Sequence, residues 1–434
     1  MLATASLQRM LTTSILLFLC TTLFMYPYGI AITGENYLRV PDFFALTSLI
    51  IGTSIIILRK RIYRYAALEI IILPFAFCEI IYPILSVFGL GAGLAEFSNS
   101  LRMMLLWLPP LFLLWTTPPE RFPAFDTAVA KLFRIALVAN FIYGFIQMLY
   151  YIGLLPRFFV ITYLLEPFAV DSHFRIINNI RASGFFVNTT GLAAFAMLCE
   201  SYFFARFIVR KENKDLYFGA LAAMIAIMTL SRAAMAGTVA VMFFLWLTLK
   251  LKQKVTVPII IFFASTIFLM LMNEYIGIDR LFYRYEVFMQ LGIGGALSDS
   301  SFSLRLYEFW PQILARLQNY PFGTLSSPGD KLGLIDSGYL TYYAQGRLLF
   351  LSTAVFAIIG MLAISWPAFL RRRNEGAIQL GFIALYLIGA MVISIPTRYS
   401  FIVFFIVYSF WNYQYHLLSV RLNTAIHKQK FIVT

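Results

Sequence analysis

The sequence predicts an all-α, polytopic integral membrane protein of about twelve transmembrane helices. Two observations carry this. Of 434 residues, 61% are hydrophobic and only 12% are charged, whereas a soluble domain needs about 25% charged residues to cover its surface. The basic residues also fall in short clusters between long apolar runs, as loop arginines and lysines do on the cytoplasmic side of a membrane. This composition excludes an ordinary soluble enzyme, a disordered chain and a nucleic-acid-binding domain, although the net charge is +14.

The expected spans are 11–32, 43–58, 67–92, 103–116, 135–154, 190–207, 216–230, 233–249, 257–275, 348–367, 376–394 and 399–415. The first reads as a retained helix rather than a signal peptide, because no convincing cleavage site follows it. The fourth stops at Thr117-Pro118-Pro119. Residues 216–249 as one helix would be about 50 Å long, too long for one crossing. A tight turn at Ser231-Arg232 divides them better.

With the N-terminus inside, the clusters Arg59-Lys60-Arg61, Arg206 to Lys214, Lys250 to Lys254 and Arg371-Arg372-Arg373 all face the cytoplasm, as do all lysines but Lys331. Both termini are then cytoplasmic, and the whole chain, 1–434, is one membrane domain. Two outer segments are long, 155–189 and 276–347. The second is too long for a plain connection and is expected to fold as short amphipathic helices in the periplasm.

The outward basic residues are Arg39, Arg102, Arg157, Arg175, Arg181, Arg232, Arg280, Arg284, Arg305, Arg316, Lys331, Arg347 and Arg398. Nearly all are arginines, whose bidentate fork suits phosphate better than lysine does. Their plainer use is pairing with outer acids and lipid phosphates. Arg232 stands at an interfacial turn between apolar runs, where a charge is costly unless paired or wet. Arg181 opens Arg181-Ala182-Ser183-Gly184-Phe185-Phe186-Val187-Asn188, in which Gly184 permits a tight backbone approach and Asn188 or Thr189 can cap the next helix. Arg280 and Arg284 share a helix face and can flank an anion, or be neutralised by Asp279 or Glu286. Arg305 can pair with Glu308. Asp336, just before Ser337-Gly338-Tyr339-Leu340, is a candidate to handle an acceptor hydroxyl, or a helix cap.

Glu69, Glu79 and Glu200 are acids inside spans and keep an ion-coupled transporter reading open. No inverted repeat or matched pair of broken helices supports that reading. His173 is the one outward histidine. Three histidines and three dispersed cysteines, Cys20, Cys78 and Cys199, predict neither a zinc site nor a disulfide framework.

Taken together, Arg181 to Asn188, Leu230-Ser231-Arg232-Ala233, Arg305 with Trp310, Pro321-Phe322-Gly323, and Asp336 to Leu340 followed by Gly346 resemble the bacterial O-antigen polymerase and O-antigen ligase superfamily, in order and spacing across 181–360. The resemblance implies a GT-C-like inner-membrane glycosyltransferase working without metal or cofactor and with inversion. Its donor and acceptor are glycans on undecaprenyl pyrophosphate, and a flippase and a chain-length regulator are expected partners. It implies that Arg232 and Arg181 hold the pyrophosphate with help from Arg305, Arg280 and Arg284, and that Asp336 and Tyr339 face the acceptor. Ligases of the superfamily carry a histidine near the position of Asp336. The aspartate here favours the polymerase branch, making O-antigen, capsular or exopolysaccharide, over a ligase, a lipid-linked oligosaccharide flippase or transporter, or a scaffold.

Overall fold

The computed structural model describes residues 2–24, 29–33, 36–59, 62–63, 66–90, 111–118, 121–151, 182–186, 189–210, 212–229, 303–326, 328–333 and 337–370, with isolated residues between them, chiefly in 231–259. Its elements are α1 (Leu2–Phe24), β1 (Gly29–Thr33), β2 (Asn36–Arg39), α2 (Val40–Arg59), α3 (Ala66–Leu90), α4 (Phe122–Tyr151), α5 (Thr189–Arg210), α6 (Asn213–Met228), a π turn (Arg305–Phe309), α7 (Trp310–Leu317), α8 (Pro328–Leu332) and α9 (Gly338–Leu370).

Among the described residues five helices are long and apolar enough to cross a membrane: Ser6–Phe24, Val40–Arg59, Glu69–Phe88, Pro123–Leu149 and Gly338–Ala363. At 1.5 Å per residue each covers the roughly 30 Å of a hydrocarbon core. Gly191–Phe204 is a shorter apolar helix. The fold is that of a helical membrane protein. The expected spans at 257–275, 376–394 and 399–415 lie outside the described residues, apart from the helical residue Ile259.

Three expectations are corrected. The first helix ends at Phe24 instead of residue 32, and 29–39 form an antiparallel ribbon that pairs Gly29 with Arg39 and Ile30 with Leu38. This ribbon is a short exception in an otherwise all-helical fold. Residues 29–31 satisfy their peptide groups across the ribbon by pairing with 37–39. Asp42 in the first turn of α2 then accepts from the Arg39 N–H at 2.9 Å. The fifth span begins at Phe122, not at 135. Its first half carries Asp126, Lys131 and Arg134, and helix survives there because two of these charges are paired inside the protein. Finally, α9 starts ten residues before the expected span and is interrupted at Gly346 (φ −142°) and Arg347 (φ 54°). That interruption coincides with the expected loop-to-span boundary.

Helices α4, α5 and α6 form one packed unit, closest between α5 and α6. One end of it is ionic. Arg206, 2% exposed, pairs with Asp126 and with Asp215 (3.4 Å), Arg210 reaches Asp126 at 2.8 Å, and Arg134 pairs with Asp215. Tyr202 Oη donates to Asp126 Oδ1 at 2.6 Å. In the connection between α5 and α6, the Lys214 ammonium 2.6 Å away holds the Glu212 carboxyl below its usual range.

At a second junction Arg59 at the end of α2 caps helical segment 111–116. Its guanidinium donates to the Thr116 carbonyl (2.9 Å) and to Gln8 Oε1 (2.7 Å), and Gln8 Nε2 donates to the same carbonyl at 3.0 Å. Orphan carbonyls at a helix C-terminus need such donors where lipid replaces water.

Removing one partner of a buried pair strands the other, at about 3–5 kcal/mol. Arg206→Ala leaves Asp126 and Asp215 without their buried partner. A fall of that size is expected in denaturant or thermal unfolding of the purified protein, with a much smaller fall for Lys214→Ala at the exposed Glu212 pair.

Candidate functional site

The end of the α4–α5–α6 unit opposite the ion pairs is where Ala182-Ser183-Gly184 meets the end of α6. Two amides of α4 hold this segment. Gln147 Oε1 accepts from the Ser183 N–H (2.9 Å) and the Gly184 N–H (3.0 Å), while its Nε2 donates to Ser183 Oγ at 3.1 Å. Asn140 Oδ1 accepts from the Phe185 N–H at 2.9 Å, and Asn140 Nδ2 returns to the Ala136 carbonyl. The Phe185 ring stacks on Tyr143 with centroids 4.7 Å apart. Gly184 has φ +57°, and a Cβ there would come within 2.2 Å of Asn140 Oδ1. The tight approach expected at this glycine is thus present, and helix α5 starts at Thr189 as expected.

The Ala182 N–H donates to the Met228 carbonyl at 3.2 Å. Ala182 follows Arg181 directly, and Met228 closes α6 four residues before Arg232, so this bond joins the backbones of the two segments that carry the candidate arginines. Helix α6 ends at Met228 with Thr229 as its C-cap, and helical backbone resumes at 237–239. Thr229 and Ser231 thus stand outside helix, as the turn expected there requires. Arg181, Arg232, Arg280, Arg284 and Asp336 themselves lie outside the described residues.

The described part of 276–347 is a second assembly. Arg305 opens the π turn and is partly buried. Ile313 and Leu317 of α7 pack with Leu332 and Ala344. The interruption in α9 frees carbonyls of Ala344 and Gln345, and these accept from the Thr324 and Leu325 N–H groups, each at 2.9 Å. Gly323 (φ +84°) permits this approach, since a Cβ would stand 2.4 Å from the Gln345 carbonyl oxygen. Pro321-Phe322-Gly323 and the Gly338–Gly346 stretch are thereby brought together. Ser337 caps α9, its Oγ accepting from Leu340 N–H at 3.4 Å and its carbonyl from Thr341 N–H at 2.9 Å. The cap considered for Asp336 is thus supplied by its neighbour. Tyr339 packs against the main core from α9.

Three of the basic residues expected to face outward have carbonyl partners, which the sequence did not signal. Arg347 donates to the carbonyls of Leu317 (2.6 Å) and Tyr320 (2.7 and 3.1 Å), closing the C-terminal end of α7, and lies over the Tyr343 ring. Arg316 donates to Leu332 O at 3.1 Å, and Lys331 to Thr324 O at 3.2 Å. These groups hold loop backbone, so the outward set offers fewer cations to a ligand than its length suggests.

Asn140 and Gln147 were also missed. Their spacing of seven places both on one helix face, and two amides so placed in an apolar helix are the signal that could have found them. Glu79 and Glu200 are both fully buried. Glu200 accepts from Thr238 at 2.8 Å through one oxygen, whereas among the described residues neither Glu79 oxygen has a hydrogen-bond partner. No cluster of metal-ligating side chains occurs among the described residues.

Gly184→Ala adds a Cβ against Asn140 in a conformation that L residues avoid. A loss of about 1–3 kcal/mol is expected, read as a lower unfolding temperature. The double variant Gly184→Ala with Asn140→Gly is expected to lose less than the two single losses added together, because the clash needs both side chains.

No known protein-family profile matches the chain, and no curated protein matches it.

Proposed function

We propose that the chain is a membrane glycosyltransferase that polymerises undecaprenyl-pyrophosphate-linked repeat units on the periplasmic face of the bacterial inner membrane, with both termini cytoplasmic. The observation that supports this most is the Ala182–Met228 bond, which ties the Arg181 segment to the end of the helix that precedes Arg232. Two guanidinium groups carried by joined segments suit one pyrophosphate, the group whose negative charge grows as the bond to the sugar breaks. The superfamily resemblance of the same segments points the same way.

In the proposed reaction an acceptor hydroxyl oxygen attacks the anomeric carbon of the donor. The bond from that carbon to the pyrophosphate oxygen breaks, and undecaprenyl pyrophosphate leaves with the electron pair. Arg232 and Arg181 stabilise the leaving charge, with Arg305, Arg280 and Arg284 as further cations. Asp336 takes the hydroxyl proton, and Tyr339 lines the acceptor side. Transfer proceeds without metal and inverts the anomeric centre.

A second reading is a lipid-linked oligosaccharide flippase or transporter. The interrupted helix α9 and the buried Glu79, which has no hydrogen-bond partner among the described residues, favour it, since broken helices and intramembrane acids mark transport sites.

Purified protein given only a lipid-linked repeat unit is expected to build a ladder of longer glycans. Movement of the lipid across vesicles without elongation overturns the proposal and supports the second reading. Arg232→Lys is expected to slow elongation about 30- to 1000-fold, equivalent to about 2–4 kcal/mol, because an ammonium cannot reproduce the guanidinium fork. Asp336→Asn is expected to slow elongation while leaving donor binding intact.

A further inference from the structure

Glu79 lies near the middle of the apolar helix Glu69–Phe88, about 15 Å along the axis from either end. Its side chain is fully buried, and among the described residues neither carboxylate oxygen has a partner. Pro83, four residues on, has no N–H to give to the Glu79 carbonyl, so that backbone oxygen also loses its helical donor. Three oxygens of one residue therefore lack their usual partners at the depth where an unpaired negative charge is most costly.

The same level of the fold carries the interruption in α9. Phe75 and Tyr82 stand one turn below and above Glu79 on one face of α3. Both pack on Phe350, with ring centroids 5.5 Å away in each case, and Phe75 also meets Tyr342 at 5.3 Å. Tyr82 lies against Gly346, where a Cβ would come within 2.7 Å of its ring, and its hydroxyl reaches the Gly346 carbonyl at 3.5 Å. The half-helix 338–345 ends here, and the C-terminal end of a helix carries partial negative charge. Broken-helix ends of this kind coordinate sodium ions or protons in membrane transporters.

We infer that Glu79, with its own freed carbonyl and the Gly346 carbonyl at the break in α9, forms a monovalent-cation site within the membrane whose occupancy sets the geometry of the interruption at Gly346–Arg347. A single positive charge balances the single carboxylate, whereas a divalent ion leaves a surplus charge in a medium that does not solvate it. The neighbouring titratable groups are Cys78, whose thiol is hydrogen-bonded to Thr353, and Tyr82 on α3, with Tyr342 and Tyr339 on α9. Arg347, the basic group of α9 at the break, is directed to the Leu317 and Tyr320 carbonyls, and the adjoining segment 321–326 carries no titratable side chain. Arg347 has the strained φ of +54°, so the interruption stores strain that a change at Glu79 can release or retain. The site does not depend on the polymerase reading.

Hydrogen exchange of peptides covering 338–350, with the unfolding temperature, tests this on the full-length protein in lipid nanodiscs. Sodium chloride is compared with choline chloride at equal ionic strength and fixed pH, and pH 5.5 with pH 8.5 in choline, every rate being divided by that of the unstructured peptide at the same pH. A sodium ion is the occupant if sodium alone slows exchange about fivefold or more. A proton is the occupant if acid does so and sodium does not. Glu79→Gln, neutral and of the same shape, is expected to exchange slowly under every condition, and Glu200→Gln to respond like the wild type. Glu79→Asp keeps the charge on a shorter arm and is expected to shift the sodium or pH midpoint. A wild type that responds to neither cation overturns the inference. So does a wild-type response retained by Glu79→Gln or, should that variant not fold, an unchanged midpoint in Glu79→Asp.

Discussion

Lipid offers no hydrogen bonds, so every helix that breaks or ends in or beside the bilayer must find partners for its peptide groups within the protein. The described fold is organised around that requirement. Residues 182–186 leave helical geometry and are met by Gln147, Asn140 and the Met228 carbonyl. The carbonyls freed at Gly346–Arg347 are met by Thr324 and Leu325, and the end of segment 111–116 by Arg59 and Gln8. In each place a distant part of the sequence is fixed in position because it supplies the missing donor or acceptor.

The same requirement gives arginine two kinds of work. Arg59 and Arg347 direct their forks at carbonyls, and Arg206 spans two aspartates. None of these is free to hold a ligand without undoing a junction. The ionic end of α4–α5–α6 and its amide-bound opposite end act as two fixed points along one unit. Between them they set the height and rotation of α6, and so the place from which the Arg232 segment leaves it. The proposed donor site draws on this, since two segments far apart in sequence are joined by one backbone bond.

Much of this was legible in the sequence, and the misses have physical causes. The apolar runs at 43–58 and 67–92 predicted α2 and α3 closely, because both helices are long and apolar with few charges to blur their ends. The first strand of the ribbon, up to residue 32, was read as the end of a helix because a short apolar strand and a short apolar helix have the same hydropathy. The start of α4 was missed because Asp126 and Arg134 look like loop residues until Arg206 and Asp215 arrive from other helices to neutralise them. Gly184 was legible, since few other residues allow so close an approach, whereas its partners Asn140 and Gln147 were hidden in an apolar run. The carbonyl-capping use of Arg316, Lys331 and Arg347 follows only from where α7 and the break in α9 fall, and no local pattern announces it.

The central claim is that the arginines of the joined segments grip one pyrophosphate. Native mass spectrometry of the purified protein, presented with undecaprenyl pyrophosphate and undecaprenyl monophosphate in equal amounts, tests it most directly. The account predicts preferential retention of the pyrophosphate, lost in the double variant Arg181→Ala with Arg232→Ala while the protein stays folded. Equal retention of both lipids by the wild type, or an undiminished preference in the double variant, contradicts it.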